Sequence, residues 1–249
     1  MAKESGLGDR AYFNGYDLSG DIGTVQGVSS PIQTLEVTGI DKSAMERIHA
    51  KRDAMAQYTA FFNDDDTVGA EGAHEVFKSL PTTDVINAYL HGIVLGNPVF
   101  CFVAKQLNYD PTRGNDGALT EQVQAQANAY GGNWCQQYTA GKVIHASATN
   151  GSSIDNGAST DFGMTAYQQV FAVASGTMIG RMEDSDDNVS FGAITGLTFT
   201  GAAARAVQRL ATAVDLTIER YTRFASTGTF TNALLFAAAE RHVALGVVL

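Results

Sequence analysis

Cysteine is nearly absent from this 249-residue chain: Cys101 and Cys135 are the only two, and neither has a CxxC partner. A chain this long buries enough surface to fold without disulfide staples. The pair therefore reads as two buried thiols in a protein made in a reducing cytoplasm. Charge is scarce too. Asp, Glu, Lys and Arg make up 17% of residues, against about 25% in an average domain, which argues against a disordered charged tail or a long charged coiled coil. Basic residues are the scarcer sign, 16 against 26 acidic, for a net charge of −10. The densest basic stretch, Arg47, Lys51 and Arg52, runs straight into Asp53. That is no clustered phosphate-binding footprint, and tight nucleic-acid binding is not expected. Long apolar runs are missing. The longest, Val94 to Ala104, is broken by Gly96, Asn97 and Pro98 and falls short of the roughly 18 residues that span a bilayer. The opening Met1-Ala2-Lys3-Glu4-Ser5 has no basic region ahead of an apolar core, so neither a secretory signal nor a membrane partner is expected.

Prolines number only four, but 26 glycines with abundant Ala, Thr, Ser and Asn supply turns and uncharged polar surface. The length suits one large all-β domain or two smaller ones. Up to about Thr38, Gly and Ser punctuate the chain every few residues (Asp17-Leu18-Ser19-Gly20-Asp21, Gly23, Gly27), which suits short strands and loops. Ser43 to Phe62 is ambiguous. Met45, Ile48, Met55 and Phe62 fit a helical stripe, whereas Ala54, Ala56, Tyr58, Ala60 and Phe62 alternate at a strand's period. Ala73 to Leu80, stopped by Pro81, predicts a short helix. Val99 to Val103 predicts a buried strand. In Leu119 to Ala129, Val123, Ala125, Ala127 and Ala129 alternate with Gln124, Gln126 and Asn128, which predicts a strand despite a helix-favouring composition. Further strands are expected over Asn133 to Thr139, Val143 to Ala148, Thr165 to Ala174, Val189 to Phe199 and Thr231 to Arg241. Val214, Leu216 and Ile218 alternate with Asp215, Thr217 and Glu219, which predicts another over Ala211 to Phe224. The sum is ten or more strands with one or two short helices. Long polar loops at 107–118 and 150–161 are expected to be functional or to touch a partner.

The residues that carry chemistry point to no catalytic, cofactor-binding or metal-binding site. Asp64-Asp65-Asp66 and Glu183-Asp184-Ser185-Asp186-Asp187 are consecutive acids, which share solvent and read as turns; an acid/base pair needs separated carboxylates in different environments. Neither run fits a calcium loop. His49, His74, His91, His145 and His242 have no HxxxH or HExxH spacing. No G-x-S-x-G elbow occurs around Ser152-Ser153, and Gly20-x-x-Gly23 and Gly114-x-x-Gly117 read as turns. Trp134 with Tyr130 and Tyr138 reads as core or interface ahead of a sugar platform.

Two stretches look alike. Thr38-Gly39 and Thr200-Gly201 open them, Arg47 and Arg209 share an offset, as do Asp53 and Asp215, and Tyr58-Thr59-x-Phe61 matches Tyr221-Thr222-x-Phe224 with one residue of slip. An internal duplication would give two laps, 1–106 with the short helix at 73–80, and 107–249 with both long loops.

The order of several short motifs resembles the major tail tube proteins of long-tailed, non-contractile (siphovirus-type) phages of actinobacterial hosts. Those motifs are Asp17-Leu18-Ser19-Gly20, Leu35-Glu36-Val37-Thr38-Gly39 and the short segment Ala44 to Ile48. Tyr58-Thr59-Ala60-Phe61-Phe62-Asn63-Asp64 and the helix Ala73 to Leu80 come next. Leu95-Gly96-Asn97-Pro98, Asn108-Tyr109-Asp110-Pro111-Thr112-Arg113-Gly114 and Gly117-Ala118-Leu119-Thr120 continue the order. Ser153-Ile154-Asp155-Asn156-Gly157 and Tyr221-Thr222-Arg223-Phe224-x-x-x-Gly228-Thr229-Phe230 close it. The resemblance spans most of the chain.

It implies a mainly β fold, a sandwich or barrel with one or two short flanking helices. It also implies a structural role in the virion tail: rings stacked into a tube that conducts DNA at ejection. Expected partners are further copies of the chain, a tail tape measure protein, distal tail and tail terminator proteins, and double-stranded DNA in transient, non-specific passage. A duplicated chain would favour three copies per ring over six. No enzyme activity and no cofactor are expected. Two alternatives stay open. One is a capsid-decorating or other accessory virion protein, which would share the composition; the other is a β-sandwich hydrolase or carbohydrate-binding module, which would need a cleft with separated carboxylates or an aromatic platform.

Overall fold

Alternation of small apolar and polar residues favours extended backbone, and 55% of the chain is strand against 2% helix, which makes the fold mainly β. The computed structural model describes residues 5–243. The first half runs β1 (Arg10–Phe13), β2 (Tyr16–Asp17), β3 (Ile22–Ser29), β4 (Ile32–Glu36), β5 (Arg47–Arg52), β6 (Met55–Phe61), α1 (Ala73–Phe77), β7 (Val85–Leu90), β8 (Pro98–Gln106), β9 (Asp110–Arg113) and β10 (Leu119–Ala127). The second half runs β11 (Asn133–Gln137), β12 (Val143–His145), β13 (Thr149–Asn150), β14 (Ile154–Asp155), β15 (Met164–Ser185), β16 (Gly192–Thr198), β17 (Ala206–Ala211) and β18 (Tyr221–Arg241). One antiparallel sheet, curled into a half-barrel, follows the path β16-β15-β18-β11-β8-β10-β6-β3, with the shorter strands paired along its flanks. β4 and β5 pair only with each other.

The core follows the period of two. β6 turns Ala56, Tyr58 and Ala60 inward, directly opposite Ala125, Val123 and Glu121 of β10. The alanines leave room for Phe13, Tyr58, Phe77 and Tyr89, whose ring centroids stand 4.6, 5.3 and 5.6 Å from Phe13. Such aromatic pairs add about 0.5–1.5 kcal/mol each beyond their buried area. Phe77 comes from α1, which buries Ala73 and Phe77 four residues apart on one face. Asp21 Oδ2 accepts the Ala73 N–H at 2.9 Å and fixes the helix start. Its end is set by Leu80, at φ 42°, and Pro81. In the second half β15, β16 and β18 bury Met178, Met182, Leu197, Phe224 and Leu235. Between these lies a shared cluster, Tyr12, Leu90, Val99, Phe171 and Phe236, that draws on both halves. Cys101 and Cys135 sit within it as free, buried thiols.

β15 and β18 form a long antiparallel ladder that runs from Met164 opposite Arg241 to Ser185 opposite Tyr221. Two glycines interrupt its pleat two positions out of register: Gly176 at φ +81°, opposite Phe230, and Gly228 at φ +95°, opposite Met178. A Cβ on Gly176 would lie 2.2 Å from Thr229 O, and one on Gly228 2.5 Å from Thr177 O. Only glycine fits either position.

Several expectations need correction. The helical stripe over 43–62 does not form; Met45 and Ile48 are exposed and the segment is β5 and β6. Of the strand expected over 211–224 only the ends form, Ala211 closing β17 and Tyr221 to Phe224 opening β18; between them lie a turn at Val214 and Asp215 and a lone bridge from Ile218 to Thr160. The reason is topological. β17 and β18 pair with opposite edges of β15, so the connection must leave the sheet. Neither long loop is free. Residues 107–118 contain β9 and the turn that leads into β10. Residues 150–161 lie along β18 through Asn150 of β13 and through β14, and Thr160 bridges Ile218 just ahead of β18. The helix, the buried β8 and the alternating β10 lie where expected. β10 hydrogen-bonds with β6 and β8 of the first half. One fully buried strand, β7, carries Val85-Ile86-Asn87-Ala88-Tyr89-Leu90 without alternation and went unpredicted.

Candidate assembly surfaces

The side chains with chemical potential do not converge. Asp64, Asp65 and Asp66 are exposed in a turn. The second acidic run is no solvated turn throughout: Glu183 is 1% exposed and clamped between two arginines. Arg181 Nε donates to its Oε1 at 2.7 Å and Arg223 Nε to its Oε2 at 2.7 Å, while the Arg223 guanidinium lies over the Phe191 ring at 3.9 Å. The neighbouring Asp184 accepts the Glu219 N–H, and Asp186 and Asp187 are exposed. The signal for Glu183 was local in part, since Arg181 lies two residues away on the same strand face.

The histidines are dispersed. His49 is exposed on β5, His74 meets Tyr109, His91 stacks on Trp134, His145 meets Ser226 and His242 meets Thr165. Burial, with the Arg209 and Arg52 charges, holds His242 down to about 4, so it stays neutral. Among the described residues no three His, Cys, Asp or Glu side chains group as metal ligands. Ser152-Ser153 lies in the segment laid along β18; Gly114-x-x-Gly117 is a turn, and Gly20-x-x-Gly23 is a turn that runs into β3. The three aromatics also separate. Tyr138 is buried and hydrogen-bonds Thr222 at 2.6 Å, Tyr130 lies under the Arg209 guanidinium at 3.9 Å, and Trp134 is half exposed. Trp134, Val25, Ile22 and His91 line an open groove of 540 Å³ beside β3.

What the fold does present is unsatisfied surface. β3 and β16 end the sheet path, so one edge of each faces away from any described strand. Natural sheets guard such edges with charge, proline or covering segments. Neither Ile22-Gly23-Thr24-Val25-Gln26-Gly27-Val28-Ser29 nor Gly192-Ala193-Ile194-Thr195-Gly196-Leu197-Thr198 contains a charge or a proline.

The β4–β5 hairpin is the second such surface. It continues the β3–β6 ribbon past Pro31 and Asp53, where the Asp53 N–H bonds Pro31 O at 3.1 Å. Leu35 lies opposite Ile48, and Val37 follows on the same face; Thr34, Glu36, Arg47 and His49 occupy the other. Between 31 and 51 only Thr38 and Ala50 are even half buried. Ile40 and Met45 add apolar surface at the tip. An isolated two-stranded hairpin is marginal in water, and this one shows solvent Leu35, Val37 and Ile48 together on one face, with Glu46 at its end. Sequence periodicity could reveal Leu35-x-Val37, but not that no core awaits it.

The remaining joints are tied. Arg205 Nη2 reaches both Glu71 carboxylate oxygens at 2.9 Å and its guanidinium lies 3.7 Å over the Tyr16 ring, joining the halves. Asp155 takes two hydrogen bonds at 2.7 Å from Arg220, which hold its carboxyl down to about 2 and pin the 150–161 segment.

No family model matches the chain, and no curated protein matches it. Solved structures similar to it include a chain of the virion of a native gene transfer agent particle, at 12% identity and TM-score 0.40, which covers 53% of this chain and 98% of that one. A chain of the tail of the empty gene transfer agent particle, with C6 symmetry, has 13% identity and TM-score 0.38 over 53% and 98%. The SPP1 Dit protein, a hub of the adsorption apparatus in phages infecting Gram-positive hosts, has 11% identity and TM-score 0.35 over 94% and 99%.

Proposed function

We propose that the chain is a non-enzymatic structural protein of a siphovirus-type phage tail, assembling head to tail into rings that stack as the tail tube. The reading rests on one observation above the others: β3 and β16, both unguarded, stand at opposite ends of one curled sheet. Pairing two different edges of the same molecule is a heterologous contact, which makes a ring when the rotation closes. Closure then removes the free edges at both ends of the sheet path. The apolar β4–β5 hairpin stands off that sheet and supplies a separate contact between rings. A net charge of −10 suits a lumen that passes DNA without retaining it. The motif order that resembles tail tube proteins of actinobacterial phages agrees with this role. Its partners are then further copies, the tape measure, and the distal tail and terminator proteins. The two-lap division at 106/107 belongs to the same proposal and favours three chains per ring over six.

Negative-stain electron microscopy across a concentration series tests it. Wild-type protein should form rings or tubes with a pore wide enough for duplex DNA, and end-on averaging should separate three chains from six. Val25→Lys in β3 and Thr195→Lys in β16 place charge at exposed edge positions and should each block assembly while leaving the monomer folded. Assembly of both variants at the wild-type threshold would refute edge pairing. Monodisperse wild-type particles that bind empty capsids would move the protein to the shell.

A further inference from the structure

Glu121 lies in phase with Val123 and Ala125 on the inward face of β10, and its side chain is fully buried. Among the described residues its Oε2 has no hydrogen-bonding partner. Its Oε1 lies 3.1 Å from the Tyr109 hydroxyl, which in turn lies 2.5 Å from His74 Nδ1. The three side chains come from β10, the segment ahead of β9, and α1. His74 packs on the Phe62 ring at 4.5 Å and turns its Nε2 toward Glu75, 4.0 Å away, which is itself paired with Lys78. Asp21 is the other acid facing the cluster, held by Asn63 Nδ2 and the Ala73 N–H. Directly opposite Glu121, β6 and β9 contribute only Ala60 and Pro111, which carry no charge.

We propose that His74, Tyr109 and Glu121 form a one-proton latch: a proton on Glu121 holds α1 against the β9–β10 hairpin, and its loss loosens the helix. The logic is that of donors and acceptors. A phenol donates one hydrogen bond. With Glu121 protonated, the carboxyl donates to Tyr109 Oη and Tyr109 donates to His74 Nδ1, the tautomer that carries its proton on Nε2, facing Glu75. When the carboxyl proton leaves to solvent, Tyr109 must donate to Glu121 instead. His74 can then keep the chain only by moving its proton to Nδ1, which removes the Nε2–H that faces Glu75. The new carboxylate is buried with one oxygen unpaired, a costly arrangement. Burial pushes Glu121 up to about 7; the Tyr109 hydrogen bond opposes this and the Asp21 charge adds to it. Tyr109 is itself pushed up to about 12, so the phenol keeps its proton throughout. The latch is independent of the tail-tube reading and stands or falls by measurements on the isolated chain.

Amide hydrogen exchange of 74–78, corrected for intrinsic rates, tests it between about pH 5.5 and 8.5 in the full chain. As Glu121 titrates with its midpoint near 7, wild-type protection should fall by about 30-fold between pH 5.5 and 8.5, levelling off above about 7. A carboxyl at about 7 in place of its ordinary 4.5 corresponds to about 300-fold in all, of which about tenfold is lost below pH 5.5. Protection in the β15–β18 ladder should not change. Glu121→Gln is neutral at every pH and should give a flat α1 profile. Tyr109→Phe removes the hydrogen bond that favours the carboxylate and should move the midpoint upward. An infrared carbonyl band of a protonated carboxyl should vanish in the wild type with the same midpoint and be missing from Glu121→Gln. An unchanged pH profile in Glu121→Gln, or a wild type with no carboxyl band titrating near 7, would overturn the latch, and the second readout stands even if the variants fail to fold.

Discussion

Truncating the apolar face of the β4–β5 hairpin separates association from folding more sharply than any core change. Leu35 is 55% exposed and Ile48 51%, so about half of each side chain remains to be buried on docking. Full burial of a Leu or Ile side chain is worth about 1.5–3 kcal/mol, and the remaining half therefore about 1 kcal/mol. Leu35→Ala with Ile48→Ala should weaken each docked hairpin by about 2 kcal/mol, roughly a 30-fold drop in association constant. The folded monomer loses only the cross-strand pair between them, about 0.2–1 kcal/mol. Sedimentation velocity across a concentration series reads the first effect, and thermal unfolding below the assembly threshold reads the second. An unchanged assembly threshold would refute the hairpin as a contact. A monomer destabilised by the full 2 kcal/mol would show that the face already packs on its own chain.

Glu183→Ala leaves the Arg181 and Arg223 guanidiniums facing each other without their shared carboxylate. It should cost about 3–5 kcal/mol and lower Tm by about 10 °C; a calorimetric shift under about 2 °C would contradict the clamp. Glu121 contributes stability that is full below its ordinary 4.5 and lost as pH rises through about 7. Wild-type unfolding free energy should therefore fall by up to about 3 kcal/mol across that window while Glu121→Gln holds level, as chemical denaturation would read. Asp155, depressed to about 2 by Arg220, works in the opposite sense: its contribution is present above 3.8 and lost as pH falls through about 2. Pepsin should begin to cut the 150–161 segment as pH drops through that range, and should cut Arg220→Gln already at about pH 4. Gly176→Ala should cost about 2 kcal/mol or more, since a Cβ there meets Thr229 O at 2.2 Å; a Tm equal to the wild type's would show that the ladder can flatten.

Where burial enforces alternation, the sequence was a sound guide. Val123 and Ala125 face a core and β10 formed despite its glutamines. Pro81 and the Ala73–Phe77 spacing were enough for α1. Alternation misled at Val214, Leu216 and Ile218, because strand placement there is decided by which edge of β15 each neighbour occupies. Gly176, Gly180 and Gly228 hid the length of β15 and β18, since glycines in a strand look like its ends. β7 carried no period because both its faces are buried. The assembly surfaces were hidden for a simpler reason. An edge is a property of what does not pair, and no residue in β3 or β16 reports a missing neighbour. Glu121 is legible in the sequence: a carboxyl in step with Val123 and Ala125 announces a buried acid.

The staggered glycines at 176 and 228 break the pleat of the long ladder, and a bend at that break would set how much arc one molecule spans between its two free ends. For a chain that meets its own copies end to end, that arc is a count. The number of molecules completing a circle is the number of such arcs in a full turn, whatever the strength of the contact between them. Sequence changes at the ends would alter how tightly neighbours hold, whereas changes at the bend would alter how many neighbours there are.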